Sequence, residues 1–252
     1  MISLKSAREL ALMRDAGRIA AEALLRVGEA VKPGVTTAEL DRVAKEYIIH
    51  CGAAPTFLNY NGFPGNICVS VNEEVIHGIP SKKRVLRDGD LVSVDLGATY
   101  KGYVGDTAAS FAAGKLSEAV QRLSDTTKAA LDAAIAVAVP GARVGDIGAA
   151  VQSLCEARGY SLVREYSGHG VGKALHEDPS VSNMGTAGRG VKLRAGMTIA
   201  IEPMVNAGRA AVRVLPDGWT VVTKDAACSA HFEHTVAIMP EGAVILTRAE
   251  GD

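Results

Sequence analysis

A chain of 252 residues, 48 % of them hydrophobic, can bury a substantial core and has room for one large domain or two small ones. Its 27 Lys and Arg against 28 Asp and Glu leave a formal net charge of −1 with no run of like charge, which argues against a nucleic-acid or membrane-surface patch. Met1-Ile2-Ser3-Leu4-Lys5 lacks the apolar core of a signal peptide, no apolar stretch is long enough to span a bilayer, and Cys51, Cys68, Cys155 and Cys228 form no C-x-x-C pair, so a cytoplasmic protein with free thiols is expected.

Ser6 and Glu9 have the spacing of a capping box, and Leu10, Met13, Gly17, Ala20, Leu24 and Val27 follow helical spacing up to Pro33. Thr36 and Glu39 repeat the cap ahead of Leu40, Val43, Tyr47 and Ile48, with Gly52 as the stop. Strands are expected over 67–71, 91–99 and 102–111, with Tyr100-Lys101-Gly102 as a hairpin turn. A two-residue loop there puts Asp95 and Asp106 on one face at similar height, within reach of a shared metal ion. Two more helices, over 117–139 and 145–159, precede strands over 161–164, 197–201, 220–223, 232–239 and 244–247.

The chain carries an internal repeat. Leu86-Arg87-x-Gly89 before Val94-Asp95 recurs 107 residues on as Leu193-Arg194-x-Gly196 before Ile201-Glu202, and Pro33-Gly34, Glu39-Leu40 and Gly52 match Pro140-Gly141, Asp146-Ile147 and Gly159 at the same offset. A single domain of residues 1–252 follows, built from duplicated halves of about 1–112 and 113–252 that pack about a pseudo-two-fold axis. No Pro-, Ser- or Gly-rich or like-charged linker separates the halves. Each half then ends a strand with a carboxylate, and two facing acids need a cation or a shared proton to coexist.

Asp95 sits among Val92, Val94, Leu96 and Gly97, where an ionised side chain is costly without a partner; the bland alternative for the Asp95 and Asp106 pair is a hairpin salt bridge or turn cap. His169 lies among three glycines in Tyr166-Ser167-Gly168-His169-Gly170-Val171-Gly172, which reads as a tight loop exposing an imidazole, and a lone His is more often structural. His176 follows seven residues later in the same loop, and His77 precedes Gly78-Ile79-Pro80 at another strand end. Glu202 ends an apolar strand, and Glu233 starts another, where the bland reading is an outward residue on an edge strand. Taken together, two Asp, two Glu and one neutral His suit a pair of Mn, Fe, Co or Zn ions.

In order, Asp95, Asp106, His169, Glu202 and Glu233 resemble the metal-ligand series of the methionine aminopeptidases, over almost the whole chain. The specific phrases are Asn72-Glu73-x-x-x-His77-Gly78-Ile79-Pro80, Gly105-Asp106-Thr107, Ser167-Gly168-His169-Gly170-Val171-Gly172 with His176-Glu177-x-Pro179, Ile201-Glu202-Pro203 and Glu233-His234-Thr235. They look like the type I bacterial form, without an amino-terminal zinc-binding extension or the type II insertion. The resemblance implies an α+β pita-bread fold, a central antiparallel sheet covered by helices. It also implies metal-dependent removal of the initiator methionine from nascent polypeptides with a small second residue, by attack of a metal-bridging hydroxide.

By the same resemblance, Asp95 and Asp106 hold one metal and Asp106, His169, Glu202 and Glu233 the other, with Asp106 and Glu233 bridging. Glu202 moves the proton of the attacking water, His176 contacts the scissile amide and His77 stabilises the tetrahedral intermediate. The methionine pocket maps to Tyr60, Phe63, Cys68, Leu175 and Trp219, and a monovalent Na or K site to the backbone of Asn72, Glu74 and Ser229. The implied partners are nascent chains at the ribosome, with the enzyme a monomer. Phe57, Leu175 and Met184 depart from the family pattern, and Phe57 is expected to add bulk near the pocket mouth and restrict the second residue. The rival readings are an X-Pro aminopeptidase or prolidase on the same fold, whose relatives usually carry an extra amino-terminal domain, and a non-catalytic pita-bread protein that binds ribosomes or RNA.

Overall fold

Helix caps and hairpin turns written into the sequence give the two parts of the chain a similar order of elements. The structure, a computed structural model, describes residues 2–251; Met1 and Asp252, the outer bounds of the expected domain, lie outside them. The first half opens with α1 (Ala7–Ala30) and α2 (Thr37–His50), each begun by the capping box of Ser6 with Glu9 or Thr36 with Glu39. It continues through β1 (Ala54–Pro55), a 3-10 turn (Tyr60–Gly62), β2 (Cys68–Val71) and β3 (Glu74–Ile76) to the long hairpin of β4 (Asp90–Tyr100) and β5 (Tyr103–Ala113). The second half opens with α3 (Glu118–Val137) and α4 (Val144–Ala157). Then come β6 (Ser161–Leu162), β7 (Gly168–Gly170), β8 (Glu177–Val181), β9 (Thr198–Ile201), β10 (Met204–Asn206), β11 (Val212–Val214), β12 (Val221–Thr223), β13 (Ser229–His231), β14 (Glu233–Met239) and β15 (Gly242–Ile245).

One antiparallel sheet runs through both halves in the order β1-β4-β5-β14-β9-β7-β8, with β2 added on β4 and β15 on β14. The halves meet where β5 pairs with β14, Ala108 opposite Glu233 and Thr107 opposite His234. Side chains lock that junction: the Thr107 hydroxyl donates to the Glu233 carbonyl at 2.9 Å, and the Thr235 hydroxyl donates to the Asp106 carbonyl at 2.8 Å. The register that joins the halves therefore also fixes two acids side by side. Helix α1 reaches this sheet through small residues, since a Cβ at Gly105 would lie 2.4 Å from the Gly17 Cα. One apolar cluster fills each half, and a third, holding Phe57, Phe63, Cys68 and Leu175, lies between them.

The 107-residue repeat is visible in the backbone. An isolated bridge joins Thr36 to Val85, and its counterpart, shifted by that offset, joins Arg143 to Lys192. The Gly34 N–H donates to the Leu86 carbonyl at 2.8 Å and the Gly141 N–H to the Leu193 carbonyl at 3.0 Å. Gly89 and Gly196, just ahead of the acid-bearing strands, share a φ of 90°, a left-handed turn that a side chain would strain. With paired strands and helices related this way, the chain has the expected pita-bread arrangement. One expectation fails: Gly168-His169-Gly170 is the strand β7, paired with β8 and β9, and no exposed loop. Glycine there serves close packing, because a Cβ at Gly168 would lie 2.3 Å from the Ala200 carbonyl oxygen.

Candidate metal centre and substrate pocket

The sheet gathers all five expected donors. Asp95 on β4 pairs with Ala108, and Asp106 lies two residues from Ala108 on β5, so both carboxylates share a face. Glu233 is buried at the start of β14, an interior strand between β5 and β9, which removes the edge-strand alternative. Glu202 follows β9 directly, its carbonyl held by the Asn183 side-chain amide at 2.9 Å.

His169 is turned to meet these acids. Its Nδ1 lies 2.9 Å from the Gly170 carbonyl, an acceptor, so the ring carries its proton there and presents a lone pair at Nε2. That Nε2 stands 3.6 Å from an Asp106 oxygen and 3.5 Å from a Glu202 oxygen. Candidate ligand atoms of Asp106, His169 and Glu233 all lie within 4.8 Å of one another.

Burial and mutual repulsion dominate the electrostatics. Burial raises Asp95 to about 7, and Asp106 is pushed well above the carboxylate range by burial first and then by Asp95. Glu202 and Glu233 rise for the same two reasons. Burial, and then His176, pushes the His169 pKa down to about 4, which keeps its ring neutral. Asp95 Oδ1, Asp106 Oδ1 and Glu233 Oε1 are buried without a hydrogen-bond partner. Orphaned carboxylate oxygens beside a neutral imidazole lone pair fit hard or borderline divalent cations, which would satisfy every unpaired atom at once.

The donors form one wall of a cavity of about 180 Å³, lined also by His77, His176, Tyr60, Phe63, Cys68, Leu175, Trp219, Phe57 and Asn61. Trp219 stands edge-on to Phe63, ring centroids 5.2 Å apart. Asp217 fixes the turn that carries it, accepting from the Trp219 and Thr220 N–H groups at 2.9 Å each. Tyr60 Oη lies 2.7 Å from His176 Nδ1, and the His176 ring lies against His169 with centroids 4.2 Å apart. Although its outer edge meets solvent, partial burial still lowers the His176 pKa. His77 adopts a φ of 59° and is pushed down to about 4, mainly by burial and then by His176.

Phe57 lines the cavity with the other pocket residues. It is buried, and a Cβ on Gly97 would touch its ring at 3.1 Å, so it belongs to the cavity wall. The open positions are Asn61 and His176. Met184 packs against the second-half core and does not line the cavity. The four cysteines are free thiols, and burial and the nearby acids push Cys68 well up. Asn72 and Ser229 do meet, the Ser229 N–H donating to the Asn72 carbonyl at 2.8 Å, while the Glu74 carboxylate accepts from the Val71 N–H.

Three neighbours of the site escaped the sequence reading. Asn61 is presented by a turn with left-handed Asn59 and Asn61, for which the Asn-Tyr-Asn-Gly run was a signal. Tyr166 stands edge-on to His77 at 5.7 Å. His231, fully buried, has its Nε2 3.8 Å from Glu202 and is pushed down to about 3 by burial; its place two residues before Glu233 on the next strand was the available clue.

A family model described as metallopeptidase family M24 matches residues 11–240. The chain belongs to this family. Among its M24 relatives, a methionine aminopeptidase of Clostridium acetobutylicum is 50 % identical, covering 99 % of this chain and 100 % of its own. The crystal structure of a methionine aminopeptidase from Thermotoga maritima superposes with a TM-score of 0.97 at 45 % identity, covering 98 % of this chain and 100 % of its own. A prolidase from Pyrococcus horikoshii shares the fold, with a TM-score of 0.77 at 24 % identity over 98 % of this chain and 64 % of its own. As an M24 member with a matching donor cluster, the chain is a metallopeptidase that uses divalent metal. No helix among the described residues is long and apolar enough to cross a membrane.

Proposed function

We propose that the chain removes the N-terminal methionine from polypeptides whose second residue is small. The observation that carries this reading is the convergence of five donors, three with orphaned buried oxygens, on one wall of a cavity whose other side is aromatic and apolar. The names of the full-length relatives point the same way.

In this reading Asp95, Asp106, His169, Glu202 and Glu233 would together hold two divalent cations. The ions, Co, Mn, Fe or Zn, would supply Lewis acidity toward the scissile carbonyl and a lowered pKa for water. Glu202, on the cavity wall, takes up and returns the proton of the attacking water. Tyr60 occupies Nδ1 of His176, which leaves the other ring nitrogen to meet the scissile amide. His77, kept neutral by burial, donates to the oxygen on which charge develops. Phe63, Trp219, Tyr60, Cys68 and Leu175 receive the methionine side chain, whose sulfur gains from aromatic edges. A Na or K ion at the carbonyls of Asn72, Glu74 and Ser229 belongs to the same reading and is supported by the contact of Asn72 with Ser229. Residues 1–252 act as one catalytic unit on nascent chains in the cytoplasm, a reading supported by the sheet that crosses the half boundary and by the four free thiols.

Titrating metal-stripped protein with Mn while following methionine release from Met-Ala-Ser tests the reading. Activity that rises with occupancy and saturates at two equivalents supports it, whereas saturation without turnover contradicts it.

A further inference from the structure

The loop that carries His176 is folded around a carboxylate. Glu177 Oε1 accepts the N–H groups of Lys173 at 2.9 Å and Ala174 at 3.3 Å, so the loop closes on the side chain of the residue that follows His176. Gly172 makes room for it, because a Cβ there would lie 2.3 Å from a Glu177 oxygen. The Val104 N–H donates to the Gly172 carbonyl at 2.9 Å and ties the near arm to β5. The far arm reaches the sheet through Glu177, which pairs with Gly170 at the start of β8, and through the His176 ring against His169 of β7.

The second Glu177 oxygen is met by a residue 172 positions away in sequence. Lys5 Nζ donates to Glu177 Oε2 at 2.6 Å, with side chains only 5 % and 20 % exposed. Lys5 is itself held, its N–H donating to the Gly196 carbonyl at 2.7 Å, just ahead of the strand that leads to Glu202. A short, largely buried ion pair of this kind fixes geometry more than it adds stability. We infer that Lys5 is a positioning residue: through Glu177 it sets the loop on which Leu175 and His176 face the cavity. The segment before α1 is then a strut between the turn that opens β9 and the His176 loop. The inference rests on the role given to His176 above.

The test uses the full chain loaded with Mn and five variants: Lys5→Met, Lys5→Arg, the Lys5→Met/Glu177→Gln pair, His176→Ala and Lys5→Met/His176→Ala. Lys5→Met should lower kcat on Met-Ala-Ser by about 100-fold, the cost of a misplacement on the order of 1 Å, with Mn affinity unchanged. Lys5→Arg should recover most of the loss. The paired variant keeps an acceptor for the loop N–H groups without a lone buried charge, and should fold and turn over better than Lys5→Met alone. In a His176→Ala background Lys5→Met should cost nothing further, because both act at one point. Amide exchange over residues 172–176 should speed up in Lys5→Met. Wild-type kcat and exchange in both Lys5→Met and the paired variant, or an equal loss with and without His176, would overturn the inference. If His176→Ala alone were fully active, the reading of His176 would fail while the exchange data still reported on the strut.

Discussion

Asp95 and Asp106 stand diagonally across the β4–β5 hairpin, Asp95 opposite Ala108 and Asp106 two residues nearer the turn on the same face. Each raises the cost of ionising the other, and Glu202 and Glu233 add to it. Without cations, the metal centre is a store of unfavourable energy in the middle of the sheet.

Metal-free protein should therefore lose stability as pH rises. Asp95 moves from 3.8 to about 7 on folding, so the folded state keeps a proton that the unfolded chain has released. For such a raised acid the stabilising contribution is complete below 3.8 and is lost as pH climbs through about 7. Calorimetry in chelator should show a melting temperature that falls from about pH 7 to about pH 9, above the range in which the buried His77, His169, His231 and His234 oppose the trend, and saturating Mn should flatten that slope. A metal-free protein most stable at the higher pH would contradict the prediction.

Asp106→Asn should nearly abolish turnover, because a shared ligand that loses its charge weakens both cations and leaves bound water less acidic. The metal-free variant should melt higher than the metal-free parent above about pH 7, one repulsive charge having gone. Turnover assays and calorimetry on the same preparation check both halves. A folded Asp106→Asn enzyme with near-normal activity would remove the dinuclear reading.

His176→Ala should lower kcat by roughly two to four powers of ten and leave metal content intact, as expected of a group that acts on substrate. Tyr60→Phe, which removes the hydrogen bond to Nδ1, should lower kcat less, by about tenfold. Elemental analysis beside steady-state kinetics decides the matter; lost metal would make His176 a ligand.

Phe57→Ala should widen the wall of the cavity, since Phe57 is buried against Gly97. Release of methionine ahead of Gly, Ala and Ser should fall, and tolerance of bulkier substrates or inhibitors should rise, with an apolar methylene worth about 1–3 kcal/mol in such a pocket. A matched series of Met-X peptides on both proteins measures it, and coincident profiles would show that Phe57 does not shape the occupied pocket.

Much of this site was legible because a duplication left a one-dimensional trace. Asp95 and Glu202 share an offset that the structure repeats in the Thr36–Val85 and Arg143–Lys192 bridges. The hairpin arithmetic that paired Asp95 with Asp106 held because Tyr100 and Tyr103 close a two-residue turn. Strand β7 was missed because glycine carries no strand propensity; what makes Gly168 and Gly170 extended is backbone contact with Ala200 and Asp178, which local pattern does not contain. Short strands such as β3, β10 and β13 were invisible for a similar reason, being defined by partners far along the chain. Phe57 looked like a rim residue because its burial depends on Gly97, forty positions on.

Peptide selectivity tests the central claim most directly. Protein stripped and reloaded with Mn or Co should release methionine from Met-Ala-Ser, act poorly when the second residue is Leu, Lys or Phe, and leave X-Pro dipeptides untouched. Cleavage of X-Pro dipeptides with Met-Ala-Ser intact, or no hydrolysis of either by fully loaded protein, would contradict it.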